Sequence, residues 1–224
     1  MKTSTFAPIL EAARTRLGAA ALEARLSKPR SATELKATSD DRYLSQMELR
    51  IFRAGLKHSL VDAKWPAFEE VFDGFEPRRV RAMSDEALET LLGDRRLIRH
   101  WGKLKSVRDN AAAMIDVAEE HGSFGAWLAD WPGTDIVGLW ETLAKRFSQM
   151  GGNSGPSFLR MVGKDTFVLT HSVTAALKRW GATDAPPKNR KDRAAVQSHF
   201  NAWADETGRP LCQLSLILAA SVAD

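Results

Sequence analysis

Apolar positions recur every three or four residues through most of this 224-residue chain. "FAPILEAARTRLGAAALEARL", "YLSQMELRIFRAGLKHSLVDA", "SDEALETLLGD" and "VGLWETLAKRFSQM" each gather their apolar side chains on one face of a helix, and the period-two alternation of a strand is almost absent. The pattern predicts an all-α fold. Ser84, followed by Glu86 and other acids, supplies a helix start, while Asp73-Gly74-Phe75-Glu76-Pro77 and Trp131-Pro132-Gly133 supply stops. The polar segment 28–41 reads as a connection. A second soft region, 181–193, holds paired prolines and mixed charges, and helical periodicity resumes in "AAVQSHFNAWADETGRPLCQLSLILAASV" with a break at Gly208-Arg209-Pro210.

A hydrophobic fraction of 44% over this length supports a substantial core. We expect one domain over 1–224 built from two lobes, with the terminal segments 1–40 and 190–224 packing together. The formal charge of +4 is compatible with a polyanionic partner. Cys212 is the chain's one cysteine, so no intrachain disulfide forms and a cysteine-rich zinc site is excluded, which points to a reducing, cytoplasmic setting. No window approaches the ~20 apolar residues of a membrane span. Charges scattered through residues 1–18 do not fit a secretory signal.

Two stretches carry chemistry. "QMGGNSGPSFLRM", 149–161, concentrates glycine between two apolar helical patterns, although a glycine inside a helix costs roughly 1 kcal/mol relative to alanine. It reads as a hairpin between two short helices, about 143–163 in all, with Pro156 near the first turn of the second. Backbone amides from Gly151 to Gly155 and a helix N-terminus facing one way suit a phosphate oxygen. An ordinary helix–helix turn has the same composition.

The second stretch is "DRRLIRHWGKLKSVRDNA", 94–111. From Arg95 to Arg108 it carries Arg95, Arg96, Arg99, Lys103, Lys105 and Arg108 with no acid among them, interleaved with Leu97, Ile98, Trp101 and Leu104. Basic side chains around an aromatic, beside Gly102, suit a duplex-binding wedge. A solvated helix face with a half-buried tryptophan is the structural alternative.

Together these stretches resemble the 3-methyladenine DNA glycosylase I family. "FDGFEPRRVRAMSDEALETLLGDRRLIRHWGKLKSVRDNAAAMIDV" is similar to its Phe-Asp-Pro turn, short helix, Ile-Ile-Arg-x-x-Gly-Lys-Ile loop and Asn-Ala helix, and "LAKRFSQMGGNSGPSFLRMVG" resembles its helix-hairpin-helix. The likeness runs from about Tyr43 to Asp165 and continues more weakly into "FVLTHSVTAALKRWG". It implies the two-lobed helical glycosylase fold and an enzyme that kinks duplex DNA and turns a damaged base into a pocket. Carried over, the loop Arg99, His100, Trp101, Gly102, Lys103 is the wedge. Gly151, Gly152, Asn153, Ser154, Gly155 and Ser157 hold the phosphate.

The chain also departs from that family. Its pocket helix has a Glu-Gly-x-x-Ala-Gly-x-x-Trp pattern; here, in "MELRIFRAGLKH", Ala54 and Gly55 align, Arg50 stands at the glutamate position and His58 replaces the tryptophan. Glu48 is two residues away, a rotation of about 200° on a helix. The family's zinc ligands are missing, so no metal and no cofactor is expected. The superfamily's catalytic aspartate should fall near Leu169-Thr170-His171-Ser172-Val173, which holds no carboxylate, and Asp165 precedes it. Glu48 and His171 are the catalytic candidates, with Tyr43, Arg50 and His58 lining the base pocket. Trp65 reads as core. The expected function is hydrolysis of the N-glycosidic bond of an alkylated purine in double-stranded DNA by a monomer. A non-catalytic protein that binds bent or damaged DNA is the alternative, and a helical interaction domain with a basic surface is a third.

Overall fold

Capping residues and glycines decide where each apolar run is cut into helices. A computed structural model describes residues 5–223, which form helices and connecting turns with no strand among them. The fold is all-α. The described residues divide into two compact units, one of 31–131 and 140–162, the other of 5–30, 132–139 and 163–223.

The first, the hairpin unit, begins with α3 (Ala32–Ala37), after α1 (Ala7–Leu17) and α2 (Ala19–Glu23) of the other unit. The expected connection 28–41 thus contains a helix. Its start was legible: Ser31 accepts the Glu34 amide while the Glu34 carboxylate accepts the Ser31 amide, a Ser-x-x-Glu capping box that short length and polarity obscured. The apolar run 43–63 is cut in two at Gly55, whose φ of +77° no other residue type adopts cheaply, giving α4 (Asp40–Arg53) and α5 (His58–Val71). Then follow α6 (Pro77–Arg81), α7 (Asp85–Thr90), α8 (Trp101–His121), α9 (Phe124–Asp130), α10 (Ile136–Arg146), of which 140–146 belong to this unit, and α11 (Ser154–Val162).

Helix α4 is the spine of this unit, packing on α5, α8, α9 and α11. Its buried Leu44, Met47, Ile51 and Phe52 keep the helical spacing read from the sequence. Trp65 is core: it stacks on Phe68 and Phe75 with ring centroids 4.9 and 5.4 Å away, and its Nε1 donates to Ser45 Oγ. At Gly125 a β-carbon would come within 2.3 Å of the Leu35 carbonyl, so α9 approaches α3 as closely as it does because that residue has none.

The other unit bears the termini. Here α12 (His171–Arg179), α13 (Arg190–Thr207) and α1 pack on the apolar α14 (Leu211–Ala220). Phe167 and Phe200 stack at 4.1 Å, and the Phe6 amide donates to the Glu206 carboxylate. Asp165 caps α14: its two oxygens accept the amides of Leu211 and Cys212 at 2.9 Å each. No helix of the described residues is long and apolar enough to cross a membrane.

Candidate nucleic-acid interface

The glycine stretch forms a turn between α10 and α11. Gln149 and Gly152 have φ of +64° and +58°, the Gly155 amide returns to the Met150 carbonyl at 3.2 Å, and the Ser154 amide to Gly151 at 3.1 Å. Gly155 is buried at the start of α11, where a β-carbon would press to 3.2 Å from the Met150 oxygen. Gly151, Gly152 and Asn153 are exposed, and a β-carbon on either glycine would meet open space. Among the described residues, neither glycine amide donates a hydrogen bond. Ser154 and Ser157 are half-buried, the Ser157 amide answering the Asn153 carbonyl. Two free amides beside the positive end of a nine-residue helix form a concavity suited to an anion.

The start of α8 belongs to the same unit. A β-carbon on Gly102 would lie 4.0 Å from Gln149 Nε2, so the first turn of α8 sits against the hairpin. The expected loop 99–103 is half helix, because Trp101, Gly102 and Lys103 already form the first turn and Arg99 and His100 precede it. His100 is the cap: its Nδ1 accepts the Lys103 amide at 3.3 Å, which makes Nδ1 the unprotonated nitrogen. Trp101 is 37% exposed, unusual for so large an apolar ring.

The basic run is thinner than its sequence. Arg96 pairs with Asp94 and Glu70, Arg108 with Asp85, and Lys103 turns inward to the C-terminal carbonyls of α4, its Nζ donating to Ala54 O at 2.8 Å and Phe52 O at 3.3 Å. Asp94, which adjoins the run, and Glu70 and Asp85, distant from it in sequence, supply the counter-charge that the run itself lacks. Arg95, Arg99 and Lys105 stay exposed.

The pocket candidates are scattered in environment. Glu48 is wholly buried, one oxygen accepting from Asn110 Nδ2 at 2.7 Å and the other without a partner. Burial pushes its carboxyl up to about 8, helped by the charge of Asp109 and opposed by the Asn110 amide and the Ser106 hydroxyl. Arg50 is half-buried with its Nε unsatisfied, and burial and then Arg53 hold it below its ordinary range. Lys103 is likewise lowered by burial and by Arg50. Tyr43 is fully buried with its hydroxyl donating to the Leu35 carbonyl at 2.7 Å, the geometry of a packed residue. His58 is exposed at the first position of α5. His171, in the unit of the termini, is exposed at the start of α12 behind the Thr170 cap.

Sequence reasoning missed Asn110. Its Oδ1 accepts the Ser148 amide at 2.7 Å and its Nδ2 also donates to the Ser148 carbonyl at 3.2 Å, joining α8 to the residue that enters the hairpin. The available signal was a polar side chain on the apolar stripe Leu104, Val107, Ala111, Met114.

A model of the methyladenine glycosylase family matches residues 35–150, more than half of the chain. The chain belongs to this family. DNA-3-methyladenine glycosylase 1 of Escherichia coli (strain K12) is 36% identical over 67 residues, 30% of this chain and 36% of that protein, so the match spans about a third of the relative's length. Among solved structures, 3-methyladenine DNA glycosylase I from Staphylococcus aureus superposes with a TM-score of 0.52 at 20% identity, over 62% of this chain and 80% of that one. The 8-oxoguanine DNA glycosylase of Methanocaldococcus jannaschii reaches 0.55 at 16% identity over 95% and 90%. At such identities these structures establish a shared glycosylase fold. The family match stops at Met150, where the hairpin opens, so the glycine turn and the unit of the termini rest on the fold comparison.

Proposed function

We propose that this protein is a cytoplasmic, monomeric DNA repair glycosylase that turns an alkylated purine out of the duplex and hydrolyses its N-glycosidic bond. The observation that carries the reading is the pairing, in a member of this family, of two unbonded glycine amides with the exposed Trp101 on the neighbouring helix start. The amides of Gly151 and Gly152 and the start of α11 hold one phosphate, and exposed Arg99 adds charge. Trp101 or His100 enters the gap the base leaves, offsetting an unstacking cost of about a few kcal/mol.

The chemistry asks little of the protein. Water adds to the sugar carbon as the glycosidic bond breaks, the bonding pair leaves with the base, and the proton lost by the water passes to solvent. A purine alkylated at N3 or N7 carries a positive charge before it leaves and is neutral afterwards, so no proton has to be given to it. Arg50, at the family's glutamate position, opposes such a cation and so holds excision low.

The test is release of 3-methyladenine and 7-methylguanine from methylated duplex DNA. We expect slow but measurable release by the native protein, faster release by Arg50→Ala, and a loss of about tenfold in Trp101→Ala. A second reading has its own observation: the carboxylates nearest the expected catalytic positions, Glu48 and Asp165, are each committed to the protein. Tight duplex binding with no release of any alkylated base decides for that reading, a non-catalytic binder of damaged DNA.

A further inference from the structure

The bond network around Asn110 has a form that packing alone does not require. Glu48 on α4 and Asn110 on α8 are both fully buried, and Ser148 lies just past the C-terminus of α10. The Asn110 side chain uses its oxygen and one hydrogen on the two backbone groups of Ser148, at 2.7 and 3.2 Å, and its nitrogen also donates to Glu48 Oε1 at 2.7 Å. These groups come from positions 38 and 62 residues away from Asn110. The amide cannot be flipped, because the Ser148 N–H needs the oxygen, and Glu48 therefore faces the nitrogen as an acceptor. The next residue, Gln149, carries the positive φ that opens the turn, and the one after it supplies the carbonyl that closes it onto Gly155.

We infer that Glu48 and Asn110 are positioning residues, a relay that fixes Ser148 and so holds the glycine hairpin open before DNA arrives. Glu48 orients the Asn110 amide; Asn110 satisfies the N–H and the carbonyl of Ser148 in the turn just past the end of α10. A turn with several glycines has many accessible shapes, and pinning its entry removes most of them at no cost to the exposed amides of Gly151 and Gly152. Glu48 is neutral near pH 7, its carboxyl raised to about 8 by burial, and its carbonyl oxygen still accepts from Asn110 in that form. With no exposed surface, Glu48 acts through the hairpin and touches neither base nor water. The inference rests on the reading of the hairpin as the backbone anchor.

Two measurements separate the relay from that reading. Amide hydrogen exchange at 148–155 in the free protein reports the hairpin directly, and titration with an undamaged duplex at fixed salt reports the anchor. We expect Asn110→Ala and Glu48→Ala to speed hairpin exchange and weaken duplex binding by about tenfold, the loss of roughly one buried hydrogen bond. Glu48→Gln, which keeps the acceptor, restores most of what Glu48→Ala loses. Asn110→Asp covers the case in which the alanine variants do not fold. A carboxyl there carries at most one proton in place of the two amide hydrogens, so it cannot donate to both Glu48 and Ser148, and the hairpin loosens. Native exchange in both Asn110 variants overturns the relay, as does loss of base release in Glu48→Gln with exchange and duplex affinity unchanged. Faster exchange with undiminished duplex affinity upholds the relay and overturns the anchor.

Discussion

Glu48 in the hairpin unit and Asp165 in the unit of the termini are both acids near positions where a glycosylase carboxylate was sought. Their surroundings differ. Each oxygen of Asp165 takes one amide from the first turn of α14, at 2.9 Å. Glu48 has one amide for one oxygen, none for the other, and no exposed surface. Asp165 is a helix cap and Glu48 a largely neutral brace. Asp165 holds backbone directly, and Glu48 holds the Asn110 side chain that does. A carboxyl available to activate water needs an oxygen facing solvent or substrate; Asp165 gives both oxygens to amides, and the unpaired oxygen of Glu48 is enclosed.

The largest effect expected from this contrast is in the pH dependence of stability. The folded carboxyl of Glu48 titrates near 8 and the unfolded one near 4.5, so between those values the folded state binds more protons and stability falls as pH rises. The stabilisation is complete below about pH 4.5 and gone above about pH 8, a change on the order of a few kcal/mol. Denaturant titrations from pH 4 to 9 should show this slope in the native protein and not in Glu48→Gln. Equal slopes would mean that Glu48 is charged when buried, and the contrast with Asp165 would collapse.

Removing the Asp165 cap should cost about 2 kcal/mol, the upper range for an N-cap, because two partly buried amides lose their acceptors together. Asp165→Asn should lose about half as much. Base release per folded molecule should not change in either variant. A specific loss of release at native stability would return Asp165 to the chemistry.

The smallest effects on stability belong to the start of α8. His100→Ala removes one long cap bond, that from the Lys103 amide, and should cost about 0.5 kcal/mol, and Trp101→Ala should fall within about 0.5 kcal/mol of native. Their effect should instead appear in duplex binding. A Trp101→Ala variant destabilised by about 3 kcal/mol would identify the ring as core.

Secondary structure was largely legible because the 3.6-residue period, the glycines and the prolines act locally. Asn110 was visible as a polar residue on an apolar stripe, but its partners at 48 and 148 were not, since no local rule links three distant positions. The basic run misled in part for the same reason: beside the adjacent Asp94, the distant Glu70 pairs with Arg96, and the distant Asp85 pairs with Arg108.

By itself, the sequence determined the helical class, the glycine hairpin between α10 and α11, the aromatic at the start of α8 and the likeness to a glycosylase family, because each is written in contiguous residues. Tertiary structure decided what the charged and polar side chains do. It turned Lys103 onto the end of α4, spent Tyr43 on the Leu35 carbonyl, made Asp165 a cap, and raised Glu48 by enclosing it, since a carboxyl's charge depends on water and partners that only the folded chain supplies.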